Sequence, residues 1–157
     1  MAESMVVLAP MGGAVVQLPD VPDPVFAGQM VGSGAAVAPP AGEAFDVVSP
    51  LAGKVVKLLP HAFVVVGESG RGVLTHVGID TVKLKGDGFK LLISQGDTVA
   101  AGEPIMHVDP APALAAGYSM VSPVVVLDTK PDTATLLADG AVAAGASLFR
   151  WTDGRPA

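Results

Sequence analysis

The chain has no cysteine, so disulfides and thiolate chemistry are excluded. Aromatic residues make up 4% of it and charged residues 15%. No lysine or arginine precedes Lys54, so the basic opening of a secretory signal is missing. Half of the residues are apolar and the mean hydropathy is +0.56, yet no apolar run approaches the roughly 20 residues that span a bilayer, because proline and glycine interrupt each one. No basic cluster exists, and the net charge is −6 with a pI near 4.8, which argues against nucleic-acid binding. A cytoplasmic protein without membrane insertion is expected.

What is present is Val, Ala, Gly and Pro. A chain of 157 residues suits one domain, 1–157, with loose ends expected at 1–5 and 152–157. Short β-branched runs alternate with Gly/Pro turns and almost no helical periodicity appears, so the expected fold is all-β, an antiparallel sandwich or barrel. The segment Ala9-Pro-Met-Gly-Gly-Ala-Val-Val-Gln-Leu18 recurs forty residues later as Ser49-Pro-Leu-Ala-Gly-Lys-Val-Val-Lys-Leu58. Ser122-Pro-Val-Val-Val-Leu127 is a shorter echo. This self-similarity predicts a duplicated strand unit. Strands are also expected at Ala35–Ala38, Val121–Leu127, Leu136–Val142 and Ser147–Trp151, and Lys83–Phe89 alternates before it stops at glycines. The one helix longer than a turn is expected within Pro110–Gly117. The proline-rich Leu18–Phe26 reads as an ordered loop. Val25, Phe26, Met30 and Val31 follow with helical spacing, as one turn presenting either core residues or a recognition surface.

The segment His61–Phe89 carries the chemistry. Ala62–Val66 and Val73–Val77 read as strands joined by Gly67-Glu-Ser-Gly-Arg-Gly72, a hairpin. A turn centred on Glu68-Ser69 would set His61 directly opposite His76, with Cβ atoms roughly 4.5–5.5 Å apart. A turn one residue later would leave them diagonal. Two imidazoles so placed can share a metal ion, or carry a phosphoryl group on one ring steadied by the other. A zinc site would need a third ligand such as Asp80, and no His-x-His or His-Glu-x-x-His pattern supplies one. General acid–base work by the pair has little support, because no serine or cysteine nucleophile stands on a glycine elbow. A phosphohistidine needs only ring orientation, donors to the phosphate oxygens and exclusion of water; the backbone of Gly78-Ile79-Asp80 could supply donors. His107 reads as a solvent-facing strand residue.

Gly70-Arg-Gly-Val-Leu-Thr-His76-Val-Gly-Ile-Asp-Thr-Val82, with Lys-Leu-Lys-Gly-Asp-Gly-Phe89, resembles the phosphorylation-site signature of the glucose-type enzyme IIA domain of the sugar phosphotransferase system. Ala9-Pro-Met-Gly-Gly, Asp20–Phe26, Gly96–Gly102 and Ser122–Val126 resemble further segments of that family, so the likeness runs along nearly the whole chain. The resemblance implies a barrel-sandwich hybrid fold, phosphorylation of His76 at Nε2 by phospho-HPr, stabilisation of the phosphoryl group by His61, and transfer to a cysteine of an enzyme IIB domain. Regulatory targets are also implied. Thr75, Gly78 and Asp80 are the expected phosphate supports, and Val25, Phe26, Met30 and Val31 the expected docking collar. Leu59 and Pro60 stand where the family often has a threonine and its neighbour, and the Thr75 hydroxyl is the candidate to replace the missing hydrogen bond. No cofactor is required by this reading. The alternative is a zinc-dependent hydrolase or metal-binding regulatory module built on His61 and His76. A biotinyl- or lipoyl-type carrier is disfavoured, because no lysine has the flanking residues that modification needs.

Overall fold

The computed structural model describes residues 4–153. Its strands are β1 (Ser4–Leu8), β2 (Gly13–Val16), β3 (Gly32–Ala38), β4 (Phe45–Val48), β5 (Gly53–Leu59), β6 (Ala62–Val66), β7 (Gly72–His76), β8 (Phe89–Leu91), β9 (Thr98–Val99), β10 (Pro104–Val108), β11 (Ser122–Leu127), β12 (Ala134–Leu136), β13 (Ala141–Val142) and β14 (Ser147–Thr152). Two short helices are α1 (Pro24–Ala27) and α2 (Ala111–Ala116). All strand pairs are antiparallel, as the alternating, turn-punctuated sequence requires.

The duplication is real. The eight-stranded sheet runs β13-β2-β3-β11-β7-β6-β5-β9, and two three-stranded sheets run β1-β14-β12 and β4-β10-β8. Exchanging the two halves maps this arrangement onto itself. Hydrogen bonds at the junction are reciprocal: the Leu8 N–H donates to Pro50 O (2.9 Å) and the Val48 N–H to Pro10 O (2.7 Å). Likewise Ala9 donates to Ala146 O and Ser49 to Glu103 O, both at 2.8 Å. In each half the Pro-x-x-Gly turn thus ties its strand to the other half. The Ser122–Leu127 echo is not a third copy: β11 occupies the place that β7 holds in the other half.

The main core lies between the sheets and contains Val7, Val37, Val55, Phe63, Val73, Phe149 and Trp151, all essentially inaccessible. A smaller apolar cluster (Leu18, Val21, Phe26, Ala36, Ile79, Val125) lies on the opposite face of β3 and β11. Period-2 alternation sends Val124 and Val126 to the first and Val125 to the second. This double burial is why Pro123–Leu127 is an unbroken apolar run. The segment 17–31 covers the second cluster, and His76 stands at its edge.

Several expectations need correction. β3 begins at Gly32, because Gly34 does not break the strand. A Cβ there would fall on the Val124 carbonyl, so glycine permits the close approach of β11. Leu136–Val142 is not one strand: β12 and β13 belong to different sheets, and the chain turns between them at Gly140 (φ 73°). The alternating 83–89 segment is not a strand: Lys83 and Leu84 end a 3-10 turn (Thr81–Leu84), residues 85–88 are turns, with Lys85 at φ 53° and Gly86 and Gly88 near 90°, and only Phe89 enters β8. The ends are ordered further out than expected, since Ser4 and Met5 pair with Thr152 and Trp151. The remainder of the expected loose ends, 1–3 and 154–157, lies outside the described residues.

Candidate functional site

β6 and β7 form the expected hairpin, one residue out of the expected register. Ala62 faces His76 and Val66 faces Gly72. The loop 67–71 therefore centres on Ser69. A turn closed by the Gly70 N–H on Gly67 O (3.1 Å) leaves Gly70 left-handed at φ 80°, which absorbs the extra residue. His61 pairs instead with Val77, whose N–H donates to His61 O at 2.7 Å. His61 lies in the turn between β5 and β6, not within a strand, so strict face alternation does not bind its side chain. The two imidazoles meet edge to face, with centroids 5.1 Å apart and an interplanar angle of 73°.

His76 is half-buried and His61 is buried. The Nδ1–H of His76 donates to the Gly78 carbonyl at 2.6 Å. A carbonyl can only accept, so the proton is at Nδ1 and Nε2 keeps its lone pair. Burial lowers the pKa of His76; the Gly78 carbonyl and the carboxylates of Asp23 and Asp80 act the other way without reversing it. Burial, and then the neighbouring His76, lower that of His61. Both rings are therefore neutral at pH 7, the form in which a ring nitrogen is nucleophilic.

The segment 17–31 shapes the other side. Asp23 Oδ1 caps α1 by accepting from the N–H groups of Val25 (2.9 Å) and Phe26 (3.3 Å). That turn sets the Phe26 ring 5.3 Å from the His76 ring. Phe26 is therefore core, not collar, and Val31 is half-buried against the same cluster. Val25 (42% exposed) and Met30 (75% exposed) do face solvent.

The expected phosphate supports fare unevenly. Thr75 faces Phe63 on the core side of β7, fully buried, and its hydroxyl has no hydrogen-bond partner. Alternation points it away from His76, so it cannot replace a donor at the pair. Gly78 touches His76 through its carbonyl; its N–H is engaged by Ser122 Oγ at 3.1 Å. The Ile79 N–H is engaged by Ser119 O at 2.8 Å. Asp80 (φ 62°) contributes charge, with an exposed ion pair to Lys83 at 3.9 Å. His107 lies apart, exposed as expected, with Nδ1 2.7 Å from Asp46 Oδ1. Among the described residues no group of three or more His, Asp or Glu side chains could hold a metal ion, so a metal at the pair would have His61 and His76 as its ligands from this chain.

Sequence reasoning missed Asp23, Thr81 and Ser122. An Asp before a proline that opens a helical turn is a capping signal, and it was legible. Nothing local marks Ser122, which reaches the site from a strand 44 residues away.

The family model described as "phosphoenolpyruvate-dependent sugar phosphotransferase system, EIIA 1" matches residues 5–131. The chain belongs to that family. The EIIA match includes every residue of the pair, of the α1 turn and of the Gly78–Asp80 loop. Over 129 residues the chain is 38% identical to a glucose-specific EIIA component of the phosphotransferase system from Staphylococcus aureus, covering 81% of this chain and 76% of the relative. It is 39% identical over 125 residues to one from Bacillus cereus, covering 78% and 74%. The glucose permease IIA structure from Mycoplasma capricolum superposes with a TM-score of 0.84 at 33% identity, covering 94% of this chain and 96% of that one. The protein is thus an EIIA phosphotransferase component of a sugar phosphotransferase system, with that family's all-β fold. The family and these relatives lend no support to the zinc hydrolase alternative. No helix among the described residues is long and apolar enough to cross a membrane.

Proposed function

We propose that the protein takes a phosphoryl group from phospho-HPr onto Nε2 of His76 and passes it to a cysteine of an enzyme IIB domain. The observation that carries this reading is the Nδ1–H bond to Gly78 O at 2.6 Å. It leaves Nε2 unprotonated and holds the ring against rotation. The Nε2 lone pair attacks phosphorus in line as the P–N bond to the donor imidazole breaks. His61 steadies the phosphoryl oxygens, which its neutral ring can do as a hydrogen-bond donor. Onward transfer breaks the new P–N bond as the thiolate attacks. The step needs no cofactor.

Phe26 excludes water from one side of the ring, and the exposed Val25 and Met30 supply apolar area for the partners. Asp23 and Asp80 add negative charge beside it, which suits a basic donor surface. The named relatives are glucose-specific, and we extend that specificity to the pathway served by this chain, acting in the cytoplasm.

The test is incubation with phosphoenolpyruvate, enzyme I and HPr, followed by intact mass. Wild type and His61→Gln should gain one acid-labile phosphate and His76→Ala none. His61→Gln should then fail to pass it on to enzyme IIB. A wild type that stays unlabelled beside an active HPr would refute the reading.

A further inference from the structure

The two peptide units on either side of Gly78 are each held at both ends. In the first, the Val77 carbonyl accepts from Thr81 Oγ1 at 2.6 Å, and the Gly78 N–H donates to Ser122 Oγ at 3.1 Å. In the second, the Gly78 carbonyl accepts from His76 Nδ1 at 2.6 Å, and the Ile79 N–H donates to Ser119 O at 2.8 Å. Thr81 and Ser122 are both fully buried. Ser122 Oγ spends its own proton on Met120 O at 2.9 Å, so toward Gly78 it is an acceptor only. Gly78 sits at φ 77°, and a Cβ there would stand 2.5 Å from Thr81 Cγ2 and 3.0 Å from Ser119 O. The loop is thus packed closely around one backbone conformation, and that conformation aims the Gly78 carbonyl at the imidazole.

We propose that Thr81 and Ser122 are positioning residues for His76: by clamping the Val77–Gly78 peptide from both sides they keep the Gly78 carbonyl on Nδ1, and so keep Nε2 free. Neither touches the ring. Without the clamp the peptide can turn, the carbonyl leaves Nδ1, and the proton distributes over both nitrogens, as it does in free imidazole. Only the Nδ1–H form can accept a phosphoryl group at Nε2. The functional consequence rests on His76 being the phosphorylated residue; the tautomer does not.

The experiment uses the full chain with 15N-labelled histidine. The ring-nitrogen shifts of His76 are followed across neutral pH in wild type, Ser122→Ala, Thr81→Val and Thr81→Ser, with phosphoryl uptake from phospho-HPr measured in parallel. Wild type and Thr81→Ser should show one tautomer, protonated at Nδ1. Ser122→Ala and Thr81→Val should show a mixture and take up phosphate about tenfold more slowly, the factor one hydrogen bond supports. A deletion variant that is folded yet keeps the pure Nδ1–H tautomer would overturn the proposal. So would loss of the fold in both deletion variants, which would make the hydroxyls structural. A shifted tautomer in the variants beside a wild type that takes no phosphate would leave the clamp standing and remove the carrier reading.

Discussion

Ala62, not His61, stands opposite His76 across the β6–β7 hairpin, yet the rings of His61 and His76 lie 5.1 Å apart. The pair is assembled by the turn between β5 and β6, which frees the His61 side chain from the strand's alternation. The site therefore depends on that turn and on the 17–31 segment as much as on the hairpin.

The histidines make stability depend on pH. Both have pKa values lowered from an ordinary value of 6.5, mainly by burial. Below that value the unfolded chain binds protons that the folded chain resists. Stability from these groups is therefore complete above pH 6.5 and falls as pH drops through the lowered folded values. The urea midpoint should decline on acidification through this window, and His61→Gln/His76→Gln should flatten the decline. An equally steep decline in the double variant would place its origin elsewhere.

Thr75 should be better replaced by valine. Its buried hydroxyl has no partner, so a shape-matched methyl removes a desolvation cost of about 1 kcal/mol or more. Urea unfolding of Thr75→Val should show a higher midpoint with an unchanged slope. Phosphoryl uptake should persist, since the hydroxyl faces the core. A loss of uptake at full stability would return Thr75 to the site.

Phe26 and Met30 should separate cleanly. Phe26 is 8% exposed in the second cluster, so Phe26→Ala should cost about 3–5 kcal/mol in chemical denaturation. Met30 is 75% exposed, so Met30→Ser should stay within about 0.5 kcal/mol. If Met30 serves docking, its substitution should raise the KM for phospho-HPr at constant fold stability. Equal destabilisation by both would contradict the packing described here.

Gly78→Ala should cost stability and site order together. A left-handed φ of 77° strains any L side chain by about 1–2 kcal/mol, before the contact with Thr81 is counted. The expected result is a lower thermal midpoint and a broadened His76 ring signal. A crystal structure with the His76–Gly78 bond intact at 2.6 Å would argue that the loop tolerates the Cβ.

Much of this was legible in the chain itself. Period-2 runs broken by Gly and Pro can form only short antiparallel strands, and the forty-residue repeat announced the two halves. The long signature around His76 carried the family. Period 2 also separates neighbours, so Thr75 beside His76 in sequence has to face the other way, a consequence already contained in the sequence. What only the tertiary structure decided is the register of the hairpin and the company His76 keeps. A left-handed Gly70 shifted the pairing by one residue, and a glycine-rich loop leaves that choice to the packing of the strands around it. Phe26 reaches the imidazole from a capped turn, Asp23 adds charge from the cap of that turn, and Ser122 holds the Gly78 N–H from β11, all far along the chain. Local propensity speaks over a few residues; the second apolar cluster and the buried hydroxyls form only when segments 17–31, 72–81 and 119–125 close on one another.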